Sequence, residues 1–176
     1  RQAVMDKWML IIAIILAAVA AVQGARHVRR GSKSQWTVLW MLFCFIAQLT
    51  ILSLRGEMRG GCPLGDTGEV LIFSAWSLTM FYMVVGSVYR LSLLGVFTAP
   101  LVCFLLSIAL MPGLLDASPE RKTVVDGWRE SHAAFSVLAY GALGLAAVAG
   151  SMFIVLNRQL KEAHTGTGLF ANLPPA

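Results

Sequence analysis

Three histidines, three cysteines and one glycine-rich loop are the features of this 176-residue chain that could carry chemistry. His132 stands apart from the other two histidines. It follows Trp128 and Ser131 at the opening of a long apolar run, in what reads as the first turn of a helix. A helix dipole disfavours added positive charge at that end, which suits a neutral imidazole with a lone pair free for a metal. Below it, at helical spacing, come Ser136, Ala139, Ala142, Ala146 and Gly150. A strip of such small side chains lets something approach closely. That could be a second helix, packed small residue against small residue, or a flat macrocycle with His132 on its iron. Spacing alone leaves both open, with helix packing the simpler. His27 and His164 lie among charged residues and read as solvated.

Trp76 is the second residue with a chemical alternative. Phe73, Trp76, Met80 and Met83 share one face of an apolar helix, usually core or lipid-facing surface, although an indole there could also stack on a porphyrin. The cysteines offer less. Cys44 and Cys103 lie inside apolar runs as small buried side chains, and Cys62 is alone in a polar loop without the second cysteine that zinc or redox pairs require. The Gly65-Asp66-Thr67-Gly68 run lacks the strand and helix that frame a phosphate loop; Asp66 or Thr67 is better placed to cap a helix, with Glu69 in its first turn. Ser131 adjoins His132 without an oriented acid, so no catalytic residue is assigned.

The elements that must position these residues are membrane helices. Some 57% of the residues are hydrophobic and 13% charged, against about a quarter charged in soluble domains. The apolar residues form runs near the length that crosses a bilayer, and soluble folds are set aside. The expectation is an all-α, polytopic transmembrane helical bundle with five spans, at about 8–24, 36–54, 70–89, 91–111 and 131–156, and a polar tail or linker over 157–176. Pro100 falls inside the fourth span, where a kink is expected. Gln48 is the strongly polar side chain near mid-membrane and is expected to donate a hydrogen bond between helices. No Asp, Glu, Lys or Arg falls deep in a span, which argues against a proton-coupled pump and ranks a transporter permease low. Net charge is +5, but the basic residues sit in loops, where they orient the chain in the lipid bilayer; no nucleic-acid surface is indicated.

With the 26–33 loop, Arg90 and the tail inside, the 14 basic residues divide evenly between the two faces. Density decides, because Arg26, Arg29, Arg30 and Lys33 crowd one short loop. The amino terminus is expected outside. Arg1 in place of Met, and the closing Pro174-Pro175-Ala176, suggest part of a longer chain and an incomplete single membrane domain.

The run Cys62 to Ser77 resembles the CcsA family of cytochrome c biogenesis proteins, whose pattern is Pro-Leu-x-Asn-x-x-Glu-x-x-x-Phe-x-x-Trp. Pro63, Leu64, Glu69, Phe73 and Trp76 match in register. Trp128, Ser131, His132 and Tyr140 resemble the family's Trp-x-x-Ser-His segment with a tyrosine further down the helix. Gly95 and Pro100 fit its Leu-Gly-x-x-x-x-Pro. Asp66 replaces the usual Asn, Gly68 an aromatic residue, and Cys62 stands near a position often held by His. HemX-like relatives, associated with regulation of heme biosynthesis, share this organisation.

What the resemblance implies is a heme-handling protein of the bacterial inner (cytoplasmic) membrane. It would act with a CcsB/ResB-type membrane partner in a cytochrome c heme-lyase complex that presents heme to the Cys-x-x-Cys-His of apocytochrome c. His132 takes the position of an axial ligand of the external heme, so heme is the implied cofactor and His132 its metal ligand. Trp128 and Trp76 would be flanking aromatics, and Pro63, Leu64 and Glu69 would shape the outer vestibule. The family's tryptophan-rich WWD motif, second external histidine and intramembrane histidine would lie beyond residue 176, and this fragment alone would not be competent.

Overall fold

A computed structural model describes residues 2–30, 35–89, 92–115, 120–122 and 124–162. They form five helices: α1 (Gln2–Arg29), α2 (Gln35–Arg59), α3 (Thr67–Tyr89), α4 (Ser92–Ala109) and α5 (Gly127–Glu162). Four of them are long and apolar enough to cross a membrane, and α4 contributes a shorter apolar stretch, Leu94–Ala109. The all-α, five-helix expectation is met.

α1 to α4 close a ring in which α1 packs broadly on α2 and α4, and α3 packs on the same two helices from the other side. Small residues allow this. α1 turns Leu10, Ala13, Ala17 and Ala20 inward at helical spacing, all fully buried, so its neighbours come close to the backbone. Gly95 of α4 does the same for Tyr82 of α3, since a Cβ there would meet the phenol. Large apolar side chains such as Trp8, Ile12, Phe43, Ile46 and Phe104 point outward and are exposed. A helix bundle apolar on both its inside and its outside is built for lipid. The chain is an integral membrane protein.

α5 stands outside the ring, docked along α3 with slight contact to α4. Ser77 Oγ donates to the Leu138 carbonyl at 2.8 Å. One turn on, Gly141 lies against Ser77 and Leu78, where a Cβ would stand 2.8 Å from the Leu78 nitrogen.

Helix ends differ from the sequence expectation. α2 does not stop near residue 54 but continues to Arg59, where Gly60 at φ 67° ends it in a Schellman turn: Gly61 N–H donates to the Gly56 carbonyl and Gly60 N–H to that of Glu57. α5 begins at Gly127 rather than Ser131, capped by Asp126, whose Oδ1 accepts from the Trp128 and Arg129 amides. It runs on to Glu162, so 157–162 of the expected tail is helical; the rest of the tail, His164, the 31–34 loop and Arg90 lie outside the described residues. Gln48 also behaves differently. Its Nε2 donates within α2 to Cys44 Sγ at 3.1 Å, and it is the Cys44 thiol that bridges to α1, at the Ala13 carbonyl.

The tight α3–α5 contact yields a prediction. Gly141→Leu should cost about 1–3 kcal/mol through overpacking and lower the thermal unfolding midpoint in detergent. Gly150→Leu, at a position with open space around its would-be Cβ, should leave that midpoint unchanged.

Candidate functional site: the vestibule at the start of α5

The end of α2 and the beginnings of α1, α3 and α5 meet at one end of the bundle. At its centre lies a buried ionic network. Arg55, 1% exposed, donates from Nε to Glu69 at 2.6 Å, and from its two terminal nitrogens to Asp6 at 3.1 Å and Asp66 at 2.9 Å. Arg59 pairs with Glu69 at 2.8 Å and with Asp66 at 2.7 Å. Glu69 is fully buried and also accepts from the Gly65 and Asp66 amides at 2.8 and 3.2 Å. It therefore reaches back over the start of α3 as the carboxylate of a capping box does. Asp66 holds the capping position, its carbonyl accepting from the Val70 amide at 3.1 Å, while its carboxylate pairs with the two arginines.

The glycines of the loop are explained by crowding around these charges. A Cβ on Gly65 would collide with the Arg59 guanidinium, and one on Gly68 would stand 2.6 Å from the Leu114 carbonyl oxygen. Gly68 N–H donates to that carbonyl at 2.7 Å. The α2–α3 loop is thus a packed structural piece, which agrees with setting aside a phosphate loop.

The same loop grips the approach to α5. Lys122 N–H donates to the Arg59 carbonyl at 2.9 Å. The Lys122 ammonium donates to the Cys62 carbonyl at 3.3 Å and pairs with Glu130, and Glu130 in turn accepts from the Cys62 amide at 2.9 Å. Cys62 is a free, half-buried cysteine. Its thiol pKa is raised, first by burial and then by the negative charge of Glu130.

His132 sits just beyond this grip and is exposed. With α5 starting at Gly127, it occupies the second turn rather than the first, so the dipole argument applies to it only weakly. Trp128, 84% exposed, is four residues earlier and shares its face. The small strip below it is open as well: Ala139, Ala142, Ala146 and Gly150 are exposed, flanked by exposed Phe135, Tyr140 and Leu143. Among the described residues no helix packs against that strip.

Trp76 lies elsewhere. It stacks on Phe45 with ring centroids 5.4 Å apart and meets Phe73 edge-on at 5.5 Å. With Phe73 it lines a groove of about 280 Å³ against Ser131, Ala134, Phe135 and Leu138 of α5. Its Nε1 is buried with no acceptor among the described residues. The structure thus groups His132 with Trp128 and places Trp76 in the α3–α5 groove. His27 is half-buried rather than fully solvated. Among the described residues no group of three or more His, Cys, Asp or Glu could hold a metal ion.

Sequence reasoning missed Arg55, Arg59, Asp6, Lys122 and Glu130. One signal was available: Arg59-Gly60-Gly61 is a basic last turn followed by a C′ glycine, which would have carried α2 past both arginines.

Comparison with known proteins agrees with the resemblance read from the blocks above. The cytochrome c biogenesis protein CcsA of Nostoc punctiforme is 30% identical over 135 residues, 73% of this chain and 38% of that protein. The protein of the same name from Porphyra purpurea is 29% identical over 149 residues, 81% of this chain and 47% of that protein. That of Crocosphaera subtropica is 28% identical over 130 residues, 70% of this chain and 39% of that protein. The chain spans less than half the length of these curated relatives. No family model matches, and no solved structure does. The chain is CcsA-like over most of its length.

The ionic network gives the prediction for this region. Arg55→Ala would leave Asp6 and Glu69 buried beside a missing cation, at a cost of about 3–5 kcal/mol. The loss should appear in detergent unfolding curves, while Glu57→Ala, at an exposed neighbour on the same helix, should leave them in place.

Proposed function

From this CcsA-like bundle, we propose that the protein takes part in cytochrome c assembly, holding heme at the outer face of the bacterial inner membrane with His132 as an axial ligand. The observation that carries the reading is the outward presentation of His132. It stands with Trp128 at the head of an open, small-residue face, in a chain similar to proteins named for cytochrome c biogenesis.

The residues suit the group. A neutral imidazole is an ordinary axial ligand, the indole of Trp128 can cover an apolar ring edge, and Ser136 and Ala139 leave the helix surface low beside the imidazole. Heme, when bound, supplies the iron that His132 ligates and the vinyl groups for thioether attachment. The chain's own part is to hold and orient. Trp76, in the groove between α3 and α5, acts here as a brace that keeps the two helices apart and aligned. Glu69, Pro63 and Leu64 shape the vestibule through the buried network and its loop.

A CcsB/ResB-type membrane protein is the proposed partner and apocytochrome c the acceptor, within a heme-lyase complex. The amino terminus lies outside in this proposal. Of the basic residues assigned to the outer face, Arg55 and Arg59 are taken up by the buried network and Lys122 by Glu130. The crowding of Arg26, Arg29, Arg30 and Lys33 in one short segment supports placing that segment inside.

The test is a reduced-minus-oxidised spectrum with pyridine hemochrome quantification on the full-length protein purified in detergent, beside His132→Ala. Sharp reduced bands that shift or vanish in the variant are expected. Protein that takes up hemin identically with and without the imidazole would contradict the ligand assignment and favour a HemX-like regulatory role.

A further inference from the structure

α5 meets the helix ring along α3 with little else to hold it, and its face beyond residue 131 is mostly exposed. The Ser77–Leu138 hydrogen bond and the close fit of Gly141 hold α5 about two to three turns further along, which leaves the orientation of its first turn to be fixed separately. What pins that end is polar. The Glu130 carboxylate, with a side chain 19% exposed, accepts from the Cys62 amide at 2.9 Å and pairs with Lys122. Lys122 is itself tied to the Cys62 and Arg59 carbonyls at 3.3 and 2.9 Å. Gly61 allows the approach, since a Cβ there would stand 2.6 Å from Glu130 Oε1. The α2–α3 loop and the segment before α5 therefore converge on one carboxylate, and that segment is tied through the Lys122 amide to the end of α2.

Glu130 and His132 are two positions apart, which at 100° per residue puts them roughly 200° apart around the helix. Drawing Glu130 in toward the α2–α3 loop turns His132 away from it. We infer that Glu130 is a positioning residue: with Lys122 it locks the first turn of α5 onto the α2–α3 loop and so sets the direction in which His132 faces. Its consequence for heme rests on the ligand reading above, whereas the lock itself rests on geometry alone.

Cys62 offers a reporter of the lock that is independent of heme. The thiolate is the reactive form, so a thiol with a raised pKa alkylates slowly. Removing the Glu130 carboxylate takes away a nearby negative charge and frees the loop. Both changes act in the same direction, toward faster alkylation.

The experiment compares Glu130→Ala, Glu130→Gln, Lys122→Arg and His132→Ala in the full-length protein, reading the heme spectrum and the maleimide alkylation rate at Cys62 by mass spectrometry at fixed pH. Both Glu130 variants should speed Cys62 alkylation by about threefold or more and shift the low-spin heme bands, with helix content by circular dichroism unchanged. Lys122→Arg, which keeps the cation, should remain near wild type in both readouts. Unchanged alkylation in Glu130→Ala overturns the lock. Faster alkylation with an unaltered spectrum, where His132→Ala does alter it, overturns the positioning role. If His132→Ala leaves the spectrum untouched, the ligand reading fails, and the alkylation rates still decide the lock.

Discussion

Arg55 and Glu69 hold one end of this bundle together. A guanidinium and a carboxylate this deeply buried are tolerable only when both are fully engaged, and here each is. Arg55 spreads its donors over Asp6 of α1, Asp66 of the loop and Glu69 of α3. Glu69 collects two arginines and two backbone amides. The consequence is geometric. Hydrophobic packing among lipid-facing helices specifies register poorly, because sliding one apolar helix along another changes little; a set of directional charge-assisted bonds at one end removes that freedom. Arg59, fixed by the same network, then offers its carbonyl to Lys122, and through Lys122 and Glu130 the order passes to α5.

Helix number and type were legible because bilayer thickness writes itself into the lengths of apolar runs. Helix ends were not. Arg55 read as the start of a polar loop, since an arginine facing lipid is costly; its neutralisation by Asp6, 49 residues away in the chain, is a tertiary fact that no local pattern displays. Asp126 was passed over as a cap because the start of α5 was placed at the apolar boundary, four residues late. Glu69, by contrast, was readable: a helix-start signal in its first turn is what the capping geometry bears out.

The candidate site was legible in part. His132 stood out for its neighbours and the small strip beneath it, and both are found on the open face of α5. Trp76 shared a helix face with Phe73, as expected, but α5 inserts between it and the imidazole face, with Ser131, Ala134, Phe135 and Leu138 turned toward the tryptophan. Sequence spacing gives faces within a helix, not which face a neighbouring helix covers. Pairing His132 with Trp128 instead follows from their i, i+4 relation, and it leaves the imidazole directed away from the five-helix unit. In this account the second side of a heme site comes from outside the described helices.

The central claim is that an imidazole on α5 is an axial ligand, and axial identity sets the potential of heme iron. The most direct measurement is a spectroelectrochemical titration of the heme-loaded full-length protein beside His132→Met. A thioether in place of imidazole should retain heme and raise its midpoint potential. A potential and spectrum identical to wild type would show that the iron does not see residue 132.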